Sequence, residues 1–305
     1  MTLQIERPAA APASAVPVLA APQPQPRRPG GSSPGIVTLV TVTALALWFL
    51  FYELVLSGMQ QSRDQQTLYA RLRQGLAEAT VPIGGAIQAG TPIALLTADS
   101  IGLRDVVVVE GTASAQLREG PGHLRSSVLP GQPGAAVLFG RGASFGAVFR
   151  RIGALQPGAA IAVTTGQGAF TYHVIRVRRP GDRYAVTPSE ATLQLVSAEG
   201  TGVRSGWAPD QLVFVDAILQ QGTVQPAPPG RPASVPPVEL AMRSDTSRLT
   251  TLVLWLQALL VAAVAVAWSW QRWGRWQTWL IGSPVVLAGL WGATETAATL
   301  LPNLV

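Results

Sequence analysis

The chemistry open to this chain is bounded first by what its 305 residues leave out. There is no cysteine, so no disulfide, thiolate metal site or thiol nucleophile can be built from it. Two histidines, His123 and His173, are the side chains suited to proton transfer near neutral pH. His173 falls inside an apolar run, on one strand face with Thr171 and Ile175, where packing or solvent contact accounts for it. His123 closes the run Gly120-Pro121-Gly122-His123. Two distant histidines and scattered carboxylates make no metal site, and no cofactor is expected. The 22 basic residues are all arginine and outnumber the 16 acidic ones, for a net charge of +6. That balance could suit nucleic acid, but acidic residues are interleaved throughout and no recognition-helix or zinc-finger spacing is present. The densest run, Arg176, Arg178, Arg179 and Arg183, holds Asp182 and follows a predicted strand. A solvated strand end explains it better than a patch for anions.

The elements that would position any site are short. Ile93–Thr97, Val106–Val109, Ala136–Phe139, Ala159–Thr164, Ala169–Val177, Thr192–Val196 and Leu212–Leu219 are rich in Val and Ile and separated by Gly, Pro and Asp, which predicts strands. Gly166-Gln167-Gly168 joins two of them as a hairpin, and a brief helix is expected near Ala147–Leu155. This pattern predicts a mainly β domain over residues 90–222, a closed or nearly closed antiparallel barrel with short helices.

The rest of the chain reads as membrane attachment. Apolar residues make up 48% and charged ones 12%, a balance too apolar for a soluble domain alone. Residues 1–35 are rich in Ala, Pro and Gln and read as a disordered cytoplasmic tail. Residues 36–56, 249–268 and 278–300 are predicted as three transmembrane helices. Arg27/Arg28 and Arg272/Arg275 flank them and place both flanks in the cytoplasm, with the barrel outside. Trp268, Trp270, Trp273, Trp276 and Trp279 suit an interfacial belt at the turn between the last two spans. Residues 57–85 carry Leu68, Leu72 and Leu76, one per turn, and read as a juxtamembrane amphipathic helix. Residues 223–247 are a Pro-rich tether. Glu53, Glu295 and Arg248 fall at similar depth, either reaching interfacial water or forming an ion pair that ties the three helices.

Several collinear motifs resemble the sortase family, class E most closely. Ile101-Gly102-Leu103 is followed by Val107-Val108-Val109-Glu110-Gly111-Thr112, and Gly120-Pro121-Gly122-His123 leads into Leu129-Pro130-Gly131-Gln132-Pro133-Gly134. The similarity runs from about Pro92 to Leu219 and extends to the N-terminal anchor and the helix after it. The resemblance implies a β-barrel cysteine transpeptidase acting on Leu-Pro-x-Thr-Gly-like or Leu-Ala-x-Thr-Gly-like sorting signals, with a cysteine, a histidine and an arginine as its catalytic set.

In the motif order those positions hold other residues: Arg141 for the histidine, Ala198 for the cysteine and Gln211 for the arginine. An alanine methyl cannot attack an amide, and a guanidinium keeps its proton and cannot alternate as acid and base. Ser197 and His123 are the possible substitutes, although Ser197 should face away from the Ala198 side of its strand. The sequence therefore suggests that the chain is not an enzyme. Its expected role is binding or scaffolding at the cell surface, with a sorting-signal-like peptide, a wall component or a membrane protein as partner. The alternatives are an active transpeptidase or hydrolase with non-standard residues, and a structural membrane subunit.

Overall fold

Apolar residues alternate along seven strands whose inward side chains form one core, among them Ala94, Leu96, Ile161, Val163, Leu193, Leu195, Val213 and Val215, and a two-residue strand completes the set. In the computed structural model, which describes residues 34–182, 191–200, 209, 211–272 and 275–304, these strands close into a barrel. They are β1 Pro92–Ala98, β2 Leu103–Glu110, β3 Gly122–His123, β4 Gly134–Phe139, β5 Ala160–Thr165, β6 Gly168–Arg178, β7 Ala191–Glu199 and β8 Gln211–Gln221. Around the barrel the order is β1-β2-β3-β4-β7-β8-β6-β5, and β5 pairs with β1 to close it.

Each of the seven expected strands is present. The purely antiparallel barrel is corrected, because β2 and β3 pair in parallel, as do β4 and β7. Parallel neighbours need a crossover, and the chain between β4 and β7 supplies a long one. The two-residue β3 and a six-residue helix, α3 Ser114–Glu119, were not expected. The predicted brief helix is two separate 3-10 turns, Phe145–Ala147 and Ile152–Ala154. The Pro-rich tail with Arg27 and Arg28, Arg183 of the arginine run and Trp273 of the aromatic cluster lie outside the described residues.

Two units, Met1–Ala44 and Leu45–Val305, are set off by their internal contacts. Helix α1 runs Pro34–Phe51 and gives way to one wider helical turn, Tyr52–Leu56, before α2 Ser57–Ala77. Leu68 and Leu72 of α2 are buried against Val81, Val107 and Val109, so the leucine stripe faces the barrel at β2. Gln65 fixes the contact by giving its amide protons to the carbonyls of Val107 (3.0 Å) and Glu119 (2.9 Å) and taking the Val107 N–H (2.8 Å).

The chain ends in two helices, α4 Leu249–Arg272 and α5 Arg275–Thr299. Among the described residues one helix, Thr246–Ser269, is long and apolar enough to cross a membrane, where the sequence had suggested three. In α5 the apolar stretch is diluted by Pro284, by glycines and threonines, and by Glu295. Of the two readings of Glu53, Glu295 and Arg248, the ion pair among the three gives way to a different one. Glu295 accepts from Arg118 of α3 at 2.5 Å, while neither Glu53 carboxylate oxygen has a hydrogen-bond partner. Arg248 lies in the turn before α4, whereas the arginine that reaches Glu295 is on α3.

Candidate functional site

The parallel β4–β7 ladder pairs Phe139 with Val196, and Gly140 continues it by giving its N–H to the Val196 carbonyl (3.0 Å). Arg141 and Gly142 therefore run alongside Ser197 and Ala198. A side chain at Gly142 would place its Cβ 2.0 Å from the Ala198 carbonyl oxygen. Of the three positions singled out in the sequence, the fold brings Arg141 and Ala198 together. Gln211 pairs with Glu199 at the start of β8, one residue out of step with the Ala198–Leu212 pair. Strand alternation then turns Gln211 to the opposite face from Ala198.

Arg141 is 1% exposed, its guanidinium turned toward α3 and its own loop. Its guanidinium donates to Ser144 Oγ (2.8 Å), Ser114 Oγ (2.7 Å) and the Ser114 carbonyl (3.3 Å), and lies 4.9 Å from the Phe145 ring centroid. Burial pushes its pKa down to about 10; Glu53 opposes the shift and Arg118 adds to it. The guanidinium thus stays charged at neutral pH. The loop that holds it is strained: Phe145, Gly146 and Ala147 all have positive φ, at 46°, 72° and 44°.

Ser197 sits on the opposite face of β7 from Ala198, fully buried, with its hydroxyl donated to the Gly140 carbonyl (2.8 Å). It ties the ends of β4 and β7 together. Ala198 belongs instead to an apolar cluster on the outside of the barrel, with Phe139, Val196 and Leu117.

His123 lies elsewhere, in a network that the sequence did not disclose. Its Nδ1 is 2.8 Å from Glu110 Oε2, and its Nε2 is 3.0 Å from Ser127 Oγ and 2.9 Å from the Val128 carbonyl. The three spacings resemble a serine, histidine and carboxylate relay. The proton count gives another reading. Ser127 Oγ donates to the Leu124 carbonyl (2.8 Å) and accepts from Val137 N–H (3.1 Å), while the Val128 carbonyl requires a proton on Nε2. The adjoining cavity is about 20 Å³, room for about one water. This network pins the loop after β3. Glu110 stands inside one of the motifs and Ser127 between two others, four positions after His123, and neither announces the other. Replacing His123 with alanine should cost about 3–5 kcal/mol by stranding the buried Glu110 carboxylate. Ser127→Ala should cost about 1 kcal/mol. Denaturant titration of the detergent-solubilised chain measures both, and equal effects would refute the ranking. His173, on β6, is partly exposed and pairs across the sheet with Ala160 and Ile218.

Residues 96–212 match the family model for the sortase domain. Sortase D of Bacillus subtilis (strain 168) is 34% identical over 74 residues, which are 24% of this chain and 36% of that protein. The match thus spans about a third of that relative's length. Among solved structures, a Clostridium perfringens Sortase D5 transpeptidase is 21% identical, with 52% of this chain and 99% of that chain covered and a TM-score of 0.42. Sortase E from Streptomyces avermitilis is 23% identical, with 44% and 91% covered and a TM-score of 0.37. The match to the sortase domain thus falls on the barrel, from β1 to the start of β8.

That match corrects the expectation that the chain is not an enzyme, since what it matches are sortases, the family whose resemblance implied a cysteine transpeptidase. The thiol of that chemistry has no counterpart in this sequence, which holds no cysteine.

Proposed function

We propose that this chain is a membrane-anchored sortase-family protein whose barrel receives an extended, sorting-signal-like peptide on the outer face of β4, β7 and β8. In this reading Arg141, Ala198 and Gln211 stand at the family's histidine, cysteine and arginine positions. Residues 36–56, 249–268 and 278–300 cross the membrane, the N-terminal arginines are cytoplasmic, and the barrel lies at the cell surface with wall or membrane proteins as partners. The observation that carries the reading is the face itself. Val137, Phe139, Val196, Ala198, Leu212 and Phe214 make an apolar floor, and the Gly142 N–H at its edge donates to the backbone of a crossing segment. An apolar floor beside a main-chain donor is what an extended peptide needs. The segment found there reads Leu301-Pro302-Asn303, the Leu-Pro-x opening that the family resemblance implies for a sorting signal.

The test is fluorescence polarisation of labelled Leu-Pro-x-Thr-Gly and Leu-Ala-x-Thr-Gly peptides with the full chain in detergent micelles. Saturable binding that Ala198→Trp weakens at least tenfold is expected. Binding indifferent to Ala198→Trp would move the partner site elsewhere, and cleavage of the probe would change the reading from holding a peptide to transferring it. A structural membrane role is favoured by one observation, the Arg118–Glu295 pair that joins α3 to α5.

A further inference from the structure

The peptide face already has an occupant, and it comes from the chain itself. Leu304, beyond the end of α5, is fully buried in the cluster with Leu117, Phe139, Val196 and Ala198. Its carbonyl accepts the Gly142 N–H at 2.9 Å. Pro302 cannot continue a helix, and beyond α5 the segment bends at Leu301 and turns at Asn303–Leu304, which seats the Leu304 side chain on the face. Asn303, also fully buried, gives its N–H to the Arg243 carbonyl (2.9 Å) and its amide protons to the carbonyls of Thr112 (2.8 Å) and Leu240 (3.0 Å).

The two chain segments over this face are held differently. The Pro-rich side is pinned by charge: Arg125 pairs with Glu239, its Nε 3.1 Å from Oε2, and Thr112 Oγ1 donates to the Glu239 carbonyl at 2.6 Å. Leu301–Leu304 contributes no charged group. Its one buried side-chain acceptor, Asn303 Oδ1, has no hydrogen-bond partner, and its neighbour Met242 sits at a φ of 58°. An orphaned buried acceptor and a left-handed methionine both disfavour the closed arrangement, and both would be relieved by release.

We infer that Leu301–Leu304 is a displaceable internal ligand of the β4–β7–β8 face, so that a peptide binds in trans only when this segment leaves. The inference rests on the peptide-holding reading above and adds its regulation. The incoming partner is an extended peptide that presents a leucine-sized aliphatic side chain to Ala198 and a backbone carbonyl to Gly142. Because the segment continues α5, any movement of the α4–α5 pair is transmitted to access at the face.

The absence of native cysteine makes the test direct, since Ala198→Cys supplies a single thiol on the covered face. In the full chain in detergent micelles, maleimide labelling of Ala198→Cys should be slow and should accelerate at least tenfold when Leu304→Asp is added. The free peptide Thr-Leu-Leu-Pro-Asn-Leu-Val should then slow the double variant again. A control thiol, Ala136→Cys inside the barrel, should stay unreactive with Leu304→Asp. Equal labelling rates with and without Leu304→Asp overturn the internal-ligand inference and leave the peptide reading to its own binding test. Acceleration that the peptide does not reverse overturns exchange in trans and the peptide reading with it. Opening of both thiols together also overturns the inference, because the segment is then part of the barrel's stability; the milder Leu304→Ala must give the same pattern.

Discussion

Gly142→Ala is expected to remove about 4 kcal/mol or more, at the upper end of what single substitutions do. The added Cβ would stand 2.0 Å from the Ala198 carbonyl oxygen and 3.3 Å from Ser197 Oγ. The first of these is backbone, which has no rotamer to escape into. Gly142 is not at a left-handed φ, so the requirement is space and not conformational freedom. Relief would mean parting the loop from the end of β7, at the cost of the Gly140 N–H bond to Val196 and the Ser197 bond to Gly140. Since a domain's whole stability is about 5–15 kcal/mol, the variant should melt roughly 10 °C or more below the parent. Thermal unfolding followed by circular dichroism in detergent measures this, and a melting point within about 2 °C of the parent would contradict the close approach.

The second large effect is at Arg141. Alanine there should cost about 3–5 kcal/mol, through a cavity and two stranded serine hydroxyls. Arg141→Met should recover part of that, because it refills the volume without a buried charge. Arg141→Lys should not, since one ammonium on a flexible stem does not reproduce a planar fork that meets Ser114 and Ser144 together. The pH dependence follows from the lowered pKa. Below about pH 10 Arg141 is protonated in the folded and the unfolded chain alike, so it adds no slope to stability at neutral pH. Above about pH 10, and up to the ordinary arginine range, the unfolded chain holds a proton that the folded one has released, so stability rises there as pH climbs. Stability curves of Glu53→Gln and Glu53→Gln/Arg141→Met between pH 6 and 9, a background without the carboxylate that Arg141 faces, should therefore be parallel. A difference that changes with pH in that range would show that Arg141 titrates where its burial does not put it.

Much of the barrel was legible because burial on a sheet selects β-branched residues with a period of two, and the seven longer strands carry that mark. β3 did not show it, since Gly122 and His123 are too few to form a pattern. Nor did the parallel pairing of β4 with β7, because register between strands some 57 residues apart is written in tertiary packing and not in either strand. At the site, motif order led to Arg141 and Ala198, but not to the direction in which Arg141 points. That direction depends on Ser114 in an unexpected helix and on three left-handed residues in a loop. The partner of Glu295 was missed for the same reason: Arg118 lies 177 positions away, and nothing local announces it. Residue chemistry alone argued against an enzyme, and the match of residues 96–212 to the sortase domain corrected that.

The position of Leu304 along the polypeptide has a consequence for biosynthesis. All eight strands leave the ribosome before α4 and α5, so the barrel can close while its outer floor is still bare. Until the final helix is made and seated, six apolar side chains face whatever is nearby, the condition under which nascent proteins aggregate or recruit chaperones. A nascent chain halted once β8 has cleared the ribosome would thus be a folded but sticky intermediate, and seating of residues 301–304 would mark its maturation.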